Sequence, residues 1–227
     1  MHIGLLGGLG PAATSLYYRD LMHLSKEAGF PLEMTIVHVD MPTMIENFVQ
    51  NDKAAQSAIY EKLSIRLKNA GADFVALVSL GGSFCLDEFL PKCPLPFVEI
   101  LEPVNNHLAG SNYKKIGLLG SNTAMLTRLY GKISSCELII PDTLGIESVN
   151  SAYLELATKA YASSENKRVL SEVASKLIDK GAEAILLGGT DLFIAFDDIS
   201  LPVPSIDCAK IHIAKLAKLA AMKSFPK

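Results

Sequence analysis

The amino-acid sequence predicts an α/β fold with two similar lobes, related by a pseudo-twofold duplication, each built on a parallel sheet flanked by helices. One observation is a recurring segment: residues 2–8 read His-Ile-Gly-Leu-Leu-Gly-Gly, and residues 115–121 read Lys-Ile-Gly-Leu-Leu-Gly-Ser. A second pair recurs in the same order, since residues 71–77 read Gly-Ala-Asp-Phe-Val-Ala-Leu and residues 181–187 read Gly-Ala-Glu-Ala-Ile-Leu-Leu. Both pairs are offset by about 110 residues, half of the chain, which indicates internal duplication. We therefore expect the site between the lobes, where loops of the two halves face each other.

The third observation is that short apolar runs alternate with longer segments of helical periodicity. This alternation indicates βαβ units and parallel sheets. Consecutive apolar residues, as at 76–78 and 185–187, fit strands that are buried on both faces. The predicted strands are residues 2–6, 34–39, 73–78, 97–101, 115–119, 137–140, 183–187 and 203–206. The predicted helices are residues 12–28, 52–70, 102–109, 123–133, 147–160, 166–180 and 208–223.

A turn-rich stretch at residues 109–112 predicts the boundary between the two lobes. It gives an N-terminal lobe of residues 1–110 and a C-terminal lobe of residues 111–207. The last predicted helix carries lysines toward its end, which suits the negative end of the helix dipole. We expect residues 208–227 to pack back on the first lobe.

Composition excludes several classes of partner. The formal charge is −3 without a basic patch, so nothing indicates nucleic-acid binding. No apolar stretch approaches the length of a membrane span and no signal sequence is recognisable, which predicts a cytoplasmic protein without a membrane partner. The cysteines Cys85, Cys93, Cys136 and Cys208 lack CxxC spacing, so we expect reduced thiols. The five histidines form no metal-ligand pattern.

Four loops at the carboxyl ends of predicted strands are the candidate ligand-binding segments, because ligands of open parallel sheets bind there. They are residues 7–11, 79–83, 120–123 and 188–191, and each contains glycine or a small hydroxyl residue. Glycine lets a ligand approach the backbone, and N–H groups at a helix start bind anions. One such loop alone is explained as a tight turn, whereas four loops paired by the repeat favour a shared site for a small anion. Residues 8–13 also fit a loose G-x-G-x-x-A pattern, so a dinucleotide-binding reductase remains a remote alternative.

Three segments match the motifs of one known family. Residues 7–14, Gly-Gly-Leu-Gly-Pro-Ala-Ala-Thr, resemble the opening Gly-Gly-Met-Gly-Pro-x-Ala-Thr of the aspartate/glutamate racemase family. Residues 181–188 resemble the lead-in to its second catalytic loop, and residues 205–212 resemble its closing Ile-Asp-Thr-Thr-x-x-His stretch. The resemblance implies two α/β lobes with the site between them, a homodimer, and amino-acid racemisation without pyridoxal phosphate or any other cofactor. In that reaction two cysteines face opposite sides of the substrate Cα; one thiolate removes a proton and the other thiol returns one.

Both catalytic loops depart from the family pattern at the thiol position. The first family loop reads Cys-Asn-Thr-x-His, and here residues 79–83 read Ser-Leu-Gly-Gly-Ser. The second reads Gly-Cys-Thr-Glu, and here residues 188–191 read Gly-Gly-Thr-Asp. Ser79 and Gly189 therefore occupy the two catalytic positions. A serine hydroxyl needs an adjacent base and glycine offers no side chain, while losing one general acid or base costs about 10²–10⁴-fold in rate. We expect little two-thiol racemisation.

Ligand contacts are expected from residues of the same loops and from one helix. The predicted binding residues are Gly8, Gly10, Leu80, Gly81, Gly82, Thr123, Thr127, Lys159 and Thr190. The N–H groups of residues 80–82 are predicted to form an anion nest, and Thr190 matches the family threonine that helps hold the substrate carboxylate. Lys159 matches a substrate-side lysine of several members or is a solvated helix lysine. Residues 41–46 lack the arginine that members with acidic substrates carry, which weighs against aspartate or glutamate as ligand.

Three functions remain open at this point. The first is an enzyme of the racemase family that acts on a small amino acid or related carboxylic acid. The second is a non-catalytic small-carboxylate binding protein of the same fold. The third is a one-sided decarboxylation or isomerisation, which needs one thiol in the site. Cys85 lies six positions beyond Ser79 and is expected to be a core or helix-surface thiol; the alternative is that it replaces the missing catalytic base. Cys208 is expected to pack under the last helix.

Overall fold

A computed structural model describes residues 1–7 and 10–226, and its regular elements alternate between strands and helices. The strands are β1 His2–Gly7, β2 Glu33–His38, β3 Phe74–Leu77, β4 Phe97–Val98, β5 Lys115–Gly120, β6 Glu137–Ile139, β7 Ala184–Gly188 and β8 Ser205–Asp207. The helices are α1 Pro11–Ala28, α2 Met41–Gln50, α3 Lys53–Asn69, α4 Leu86–Phe89, α5 Leu101–Gly110, α6 Asn122–Leu126, α7 Thr143–Lys159, α8 Ser164–Asp179, α9 Phe193–Phe196 and α10 Cys208–Ala220. Two 3₁₀ helices, Gly81–Cys85 and Leu90–Lys92, lie on either side of α4.

The strands form two parallel four-stranded sheets with the same topology. Their orders are β2-β1-β3-β4 and β6-β5-β7-β8, so each repeated segment takes the equivalent place in its own sheet. Strands β3 and β7 are buried along their whole length, as their continuous apolar residues predict. The predicted α/β class with two parallel sheets flanked by helices is confirmed.

The chain divides into two compact units. The first contains Met1–Ile100 and the chain from His212 onward, and the second contains Leu101–Ile211. The end of α10 is tied into the first unit, where the Met1 ammonium donates to the carbonyl of Ala220 at 2.6 Å. Helix α5 lies in the second unit, whereas the boundary predicted after residue 110 assigns it to the first lobe.

The reason for the placement of α5 is its contact with the segment that leads into β6. Asn105 Oδ1 accepts hydrogen bonds from the N–H groups of Ser134 and Ser135, at 3.0 and 3.3 Å. These partners lie about 30 residues away in sequence, beyond the reach of a prediction from local turn composition.

The helix predicted over residues 123–133 is wrong in length, because α6 ends at Leu126. Arg128, Leu129 and Tyr130 have φ angles of 46°, 58° and 57°, which form a left-handed turn. Thr127 Oγ1 accepts from the Tyr130 N–H at 2.9 Å, and the turn places Leu129 in the core with no exposed surface. Burial of a leucine stabilises by about 1.5–3 kcal/mol, which offsets part of the cost of about 1–2 kcal/mol for each of the three left-handed residues.

The sequence analysis also missed α2, α4 and α9. Of these, α2 carries a recognisable start signal. Asp40 is its N-cap and accepts from the Thr43 N–H at 3.0 Å, and a proline occupies the first turn. In the part of the chain that the structure describes, no helix is both long enough and apolar enough to cross a bilayer.

Candidate functional site

The carboxyl ends of the central strands are the candidate site in each unit. Strands β1 and β3 are neighbours in the first sheet, and β5 and β7 are neighbours in the second. At these pairs the chain connections turn to opposite sides, which makes them the switch points where α/β sheets bind ligands. Gly8, one of the predicted binding residues, lies outside the described residues. Gly10 is the N-cap of α1 in extended conformation, with φ −119° and ψ 142°.

In the first unit, Ser79 caps the loop after β3. It is 1% exposed, and its Oγ accepts a hydrogen bond from the Gly82 N–H at 3.2 Å. A Cβ on Gly82 would lie 2.5 Å from Tyr60 Oη, and this hydroxyl donates to the Gly82 carbonyl at 3.3 Å. A Cβ on Gly81 would meet only the Ser79 hydroxyl, at 3.9 Å. The structure thus holds the Ser79 side chain against the backbone of its own loop, and the anion nest on residues 80–82 stays a prediction.

The four cysteine thiols are poor candidates for a replacement base. Burial raises the pKa of Cys85 to about 12, and the charge of Glu88 adds to this effect. Burial also raises the pKa of Cys93 and Cys136, and it raises the pKa of Cys208 well above its ordinary value. Since the thiolate is the reactive form, none of these side chains offers a base at neutral pH.

In the second unit, the loop after β7 is buried and holds an unpaired hydroxyl. Thr190 and Asp191 are each 1% exposed, and the Gly189 carbonyl accepts from the Leu192 N–H at 3.1 Å. Thr190 Oγ1 is buried without a hydrogen-bond partner among the described residues. A buried donor without a partner costs about 1–3 kcal/mol, which a bound acceptor would offset.

The ring of Tyr153, on α7, fills the space beside Gly189. A Cβ built on Gly189 would lie 2.6 Å from Cε2, 3.0 Å from Cζ and 3.2 Å from Cδ2 of this ring. Tyr153 is 1% exposed, and burial raises the pKa of its phenol well above the ordinary value, with the charge of Asp191 adding to the effect. Sequence reasoning missed this residue, because Tyr153 falls on the apolar face of α7 with Val149 and Leu156 and therefore has the pattern of a core side chain.

The loop after β5 and the end of α7 hold the remaining predicted residues. Thr127 Oγ1 donates to the Thr123 carbonyl at 2.6 Å and accepts from the Tyr130 N–H, so this hydroxyl is engaged in the left-handed turn. Thr123 lies half-buried in α6. Lys159 is exposed and its Nζ lies 2.7 Å from Glu155 Oε1 on the same helix, the arrangement of a solvated helix lysine.

A cavity of about 490 Å³ lies in the second unit, and Leu187 and Phe193, which flank the loop after β7 in sequence, are among its lining residues. Phe196, Asp207 and Lys210 are among its lining residues, and none of the predicted binding residues lines it. Lys210 Nζ lies 3.8 Å from Asp197 Oδ1 across this surface. We place the candidate site at the loops because the Thr190 hydroxyl is buried there without a partner among the described residues, and because the sequence predicts both thiol positions of the family in these loops.

Comparisons with known proteins agree on one family. The model of the family described as Asp/Glu/Hydantoin racemase matches residues 6–216. A crystal structure of a protein from Yersinia pestis, proposed to be an Asp/Glu racemase, is similar with a TM-score of 0.81 and 24% identity over 97% of this chain and 99% of that chain. An aspartate racemase homologue from Pyrococcus horikoshii OT3 gives a TM-score of 0.77 and 25% identity over 97% and 99% of the two chains.

A glutamate racemase from Francisella tularensis, solved in complex with D-glutamate, is a more distant match. Its TM-score is 0.66 and its identity 15%, over 96% of this chain and 80% of that chain. Because identities this low establish the fold rather than the chemistry, the residues of the two loops decide what the site does.

Proposed function

Since the chain belongs to the Asp/Glu/Hydantoin racemase family, we propose that it binds a small amino acid or carboxylic acid at these loops and does not racemise it with two thiols. The binding part of the proposal rests on the Thr190 hydroxyl, which is buried and has no hydrogen-bond partner in the part of the chain that the structure describes. It lies in the loop where the family holds a substrate carboxylate, and a carboxylate oxygen is a strong acceptor for such a donor.

The loss of turnover follows from the groups at the two thiol positions. The Ser79 hydroxyl accepts from the Gly82 N–H, and no base beside it is indicated by the sequence. Gly189 has no side chain, and Tyr153 fills the space that one would need. Burial raises the pKa of all four thiols, which weighs against a relocated cysteine base such as Cys85.

The charges near the second loop favour a zwitterion over a dianion. Asp191 is buried and raises the pKa of both Tyr153 and Cys208, so its negative charge acts within the loop region. A dicarboxylate would add a second negative charge there, whereas an amino acid brings an ammonium group. Residues 41–46 also lack an arginine for a side-chain carboxylate. The proposed ligand is therefore an amino acid with a small or neutral side chain.

The remaining features of the proposal come from the sequence. The cleft between the two halves, the homodimer implied by the resemblance, and the cytoplasmic location stay predictions. The D-glutamate in the Francisella tularensis structure supports the ligand class, because a relative of the same fold binds an amino acid.

The test is calorimetric titration with glycine, L- and D-alanine, L- and D-aspartate, L- and D-glutamate, succinate and NADH. We expect a small amino acid to bind and Thr190→Val to weaken its Kd by about tenfold, since one hydrogen bond to a charged group is lost. Thr158→Val is the matched control, because Thr158 is exposed and its Oγ1 donates to the Leu154 carbonyl of its own helix.

Two results would contradict the proposal. One is the absence of binding by every acid at millimolar concentration, or binding of NADH alone. The other is rapid exchange of the α-proton of a bound amino acid in heavy water, followed by proton NMR, at a rate near that of a thiol-bearing relative.

A further inference from the structure

We propose that the hydroxyl of Tyr153 is a ligand-contacting group of the second unit, standing where the family has a thiol and donating a hydrogen bond to the ligand carboxylate. This inference rests on the proposed function and adds to it a residue that neither the sequence motifs nor the family resemblance assigns.

The first support is the space that the ring occupies. The backbone of Gly189 is outside the left-handed region, so its conformation would accept a side chain. What excludes a side chain is the Tyr153 ring, whose Cε2 and Cζ would lie 2.6 and 3.0 Å from the added Cβ. Cζ carries the hydroxyl, so the polar end of Tyr153 lies next to the position of the missing thiol.

The second support is a contrast with the other two fully buried tyrosines. Tyr17 Oη is hydrogen-bonded to His212 Nδ1 at 2.8 Å, and Tyr60 Oη donates to the Gly82 carbonyl at 3.3 Å. Tyr153 is equally buried, yet its hydroxyl makes no hydrogen bond to any residue that the structure describes. In this respect Tyr153 differs from the two tyrosines whose hydroxyls are held by protein partners.

The third support is the neighbouring donor. Thr190 directly follows Gly189, and its Oγ1 is also buried without a partner among the described residues. The Tyr153 ring and Thr190 therefore both adjoin Gly189, and two hydroxyl donors can serve the two oxygens of one carboxylate.

The surroundings of Tyr153 keep its hydroxyl protonated. Asp191, Cys208 and Tyr130 are the titratable groups that act on it, and each raises its pKa in addition to the effect of burial. A phenol in this environment donates a hydrogen bond and does not accept a proton at neutral pH. The replacement of a thiol by this group therefore supports binding of an acid and removes the base needed for racemisation on that side.

The test compares Tyr153→Phe with Tyr17→Phe in calorimetric titration of the full-length protein with the amino acid that binds best in the panel above. We expect Tyr153→Phe to weaken the Kd by about tenfold, because one hydrogen bond to a carboxylate is lost. Its urea midpoint should stay the same or rise, because no protein partner loses a bond. Tyr17→Phe should show the opposite pattern, with a lower urea midpoint and an unchanged Kd, because its hydroxyl is bonded to His212.

The outcomes separate this inference from the proposed function. If Thr190→Val weakens binding and Tyr153→Phe does not, Tyr153 is only a core residue and the inference fails while the function stands. A lower urea midpoint for Tyr153→Phe with an unchanged Kd would also overturn it. If the unmodified protein binds no amino acid, the proposed function fails and the inference fails with it.

Discussion

Replacing Gly189 by alanine should reveal a steric coupling with Tyr153. The added Cβ would lie 2.6 Å from Cε2 of a ring that is 1% exposed, so neither group can move into solvent. Overpacking of this kind costs about 2 kcal/mol of the free energy of unfolding. Tyr153→Leu alone should cost about 3 kcal/mol, because a large buried ring is removed. In the double variant the ring atoms nearest the Cβ are gone, so Gly189→Ala should then cost about 0.5 kcal/mol or less.

The expected coupling energy is therefore about 2 kcal/mol, well above the non-additivity of unrelated sites. The measurement is urea unfolding followed by far-UV circular dichroism, because the chain contains no tryptophan for fluorescence. The four proteins should share one slope against urea, so that the midpoints report stability alone. Gly110→Ala is the matched control, since a Cβ there has no neighbour within 4 Å.

Equal costs of Gly189→Ala in the two backgrounds would refute the reasoning, because they would show that the ring does not occupy the space beside position 189. If the coupling is found, it also follows that a cysteine at position 189 is tolerated only after Tyr153 is replaced by a smaller residue.

Two further perturbations test the core and the helix ends. Burial lowers the pKa of His212 from about 6.5 to about 4, so the unfolded chain binds its proton first as the pH falls. The free energy of unfolding should therefore drop by about 3 kcal/mol as the pH falls from 6.5 to 4, and it should level off below pH 4. In urea unfolding measured across this pH range, His212→Gln should remove the dependence on pH. His23→Gln, at an exposed histidine, should keep it. Ala160 ends α7 with φ 52°, whereas Gly29 ends α1 with φ 70°, and a Cβ added to Gly29 would have no neighbour within 4 Å. Ala160→Gly should stabilise and Gly29→Ala destabilise by about 1 kcal/mol each, and urea midpoints that move in the same direction would contradict this.

Local sequence signals predicted most of the fold. The two repeats predicted two similar lobes with parallel sheets, because strands buried on both faces read as continuous apolar runs that recur with the duplication. The same signals missed α2, although Asp40 and Pro42 mark its start. The sequence also predicts that Ser79 and Gly189 stand at the two thiol positions of the family, in loops whose places follow from the strands before them.

Other features depend on partners distant in sequence. The left-handed turn that shortens α6 is stabilised by burial of Leu129, and the periodicity of residues 123–133 contains no sign of it. The assignment of α5 to the second unit depends on the contacts of Asn105 with residues 134 and 135.

The sequence by itself determined the fold class, the duplicated sheets, the family and the absence of cysteine at positions 79 and 189, because each depends on residue types at fixed local spacings. Only the tertiary structure showed that the Tyr153 ring fills the space beside Gly189. In the sequence, Tyr153 has the pattern of a core residue on α7. It contacts Gly189 because α7 packs against the loop after β7. Burial, which is a property of that packing, also raises the pKa of Cys85 and Cys208.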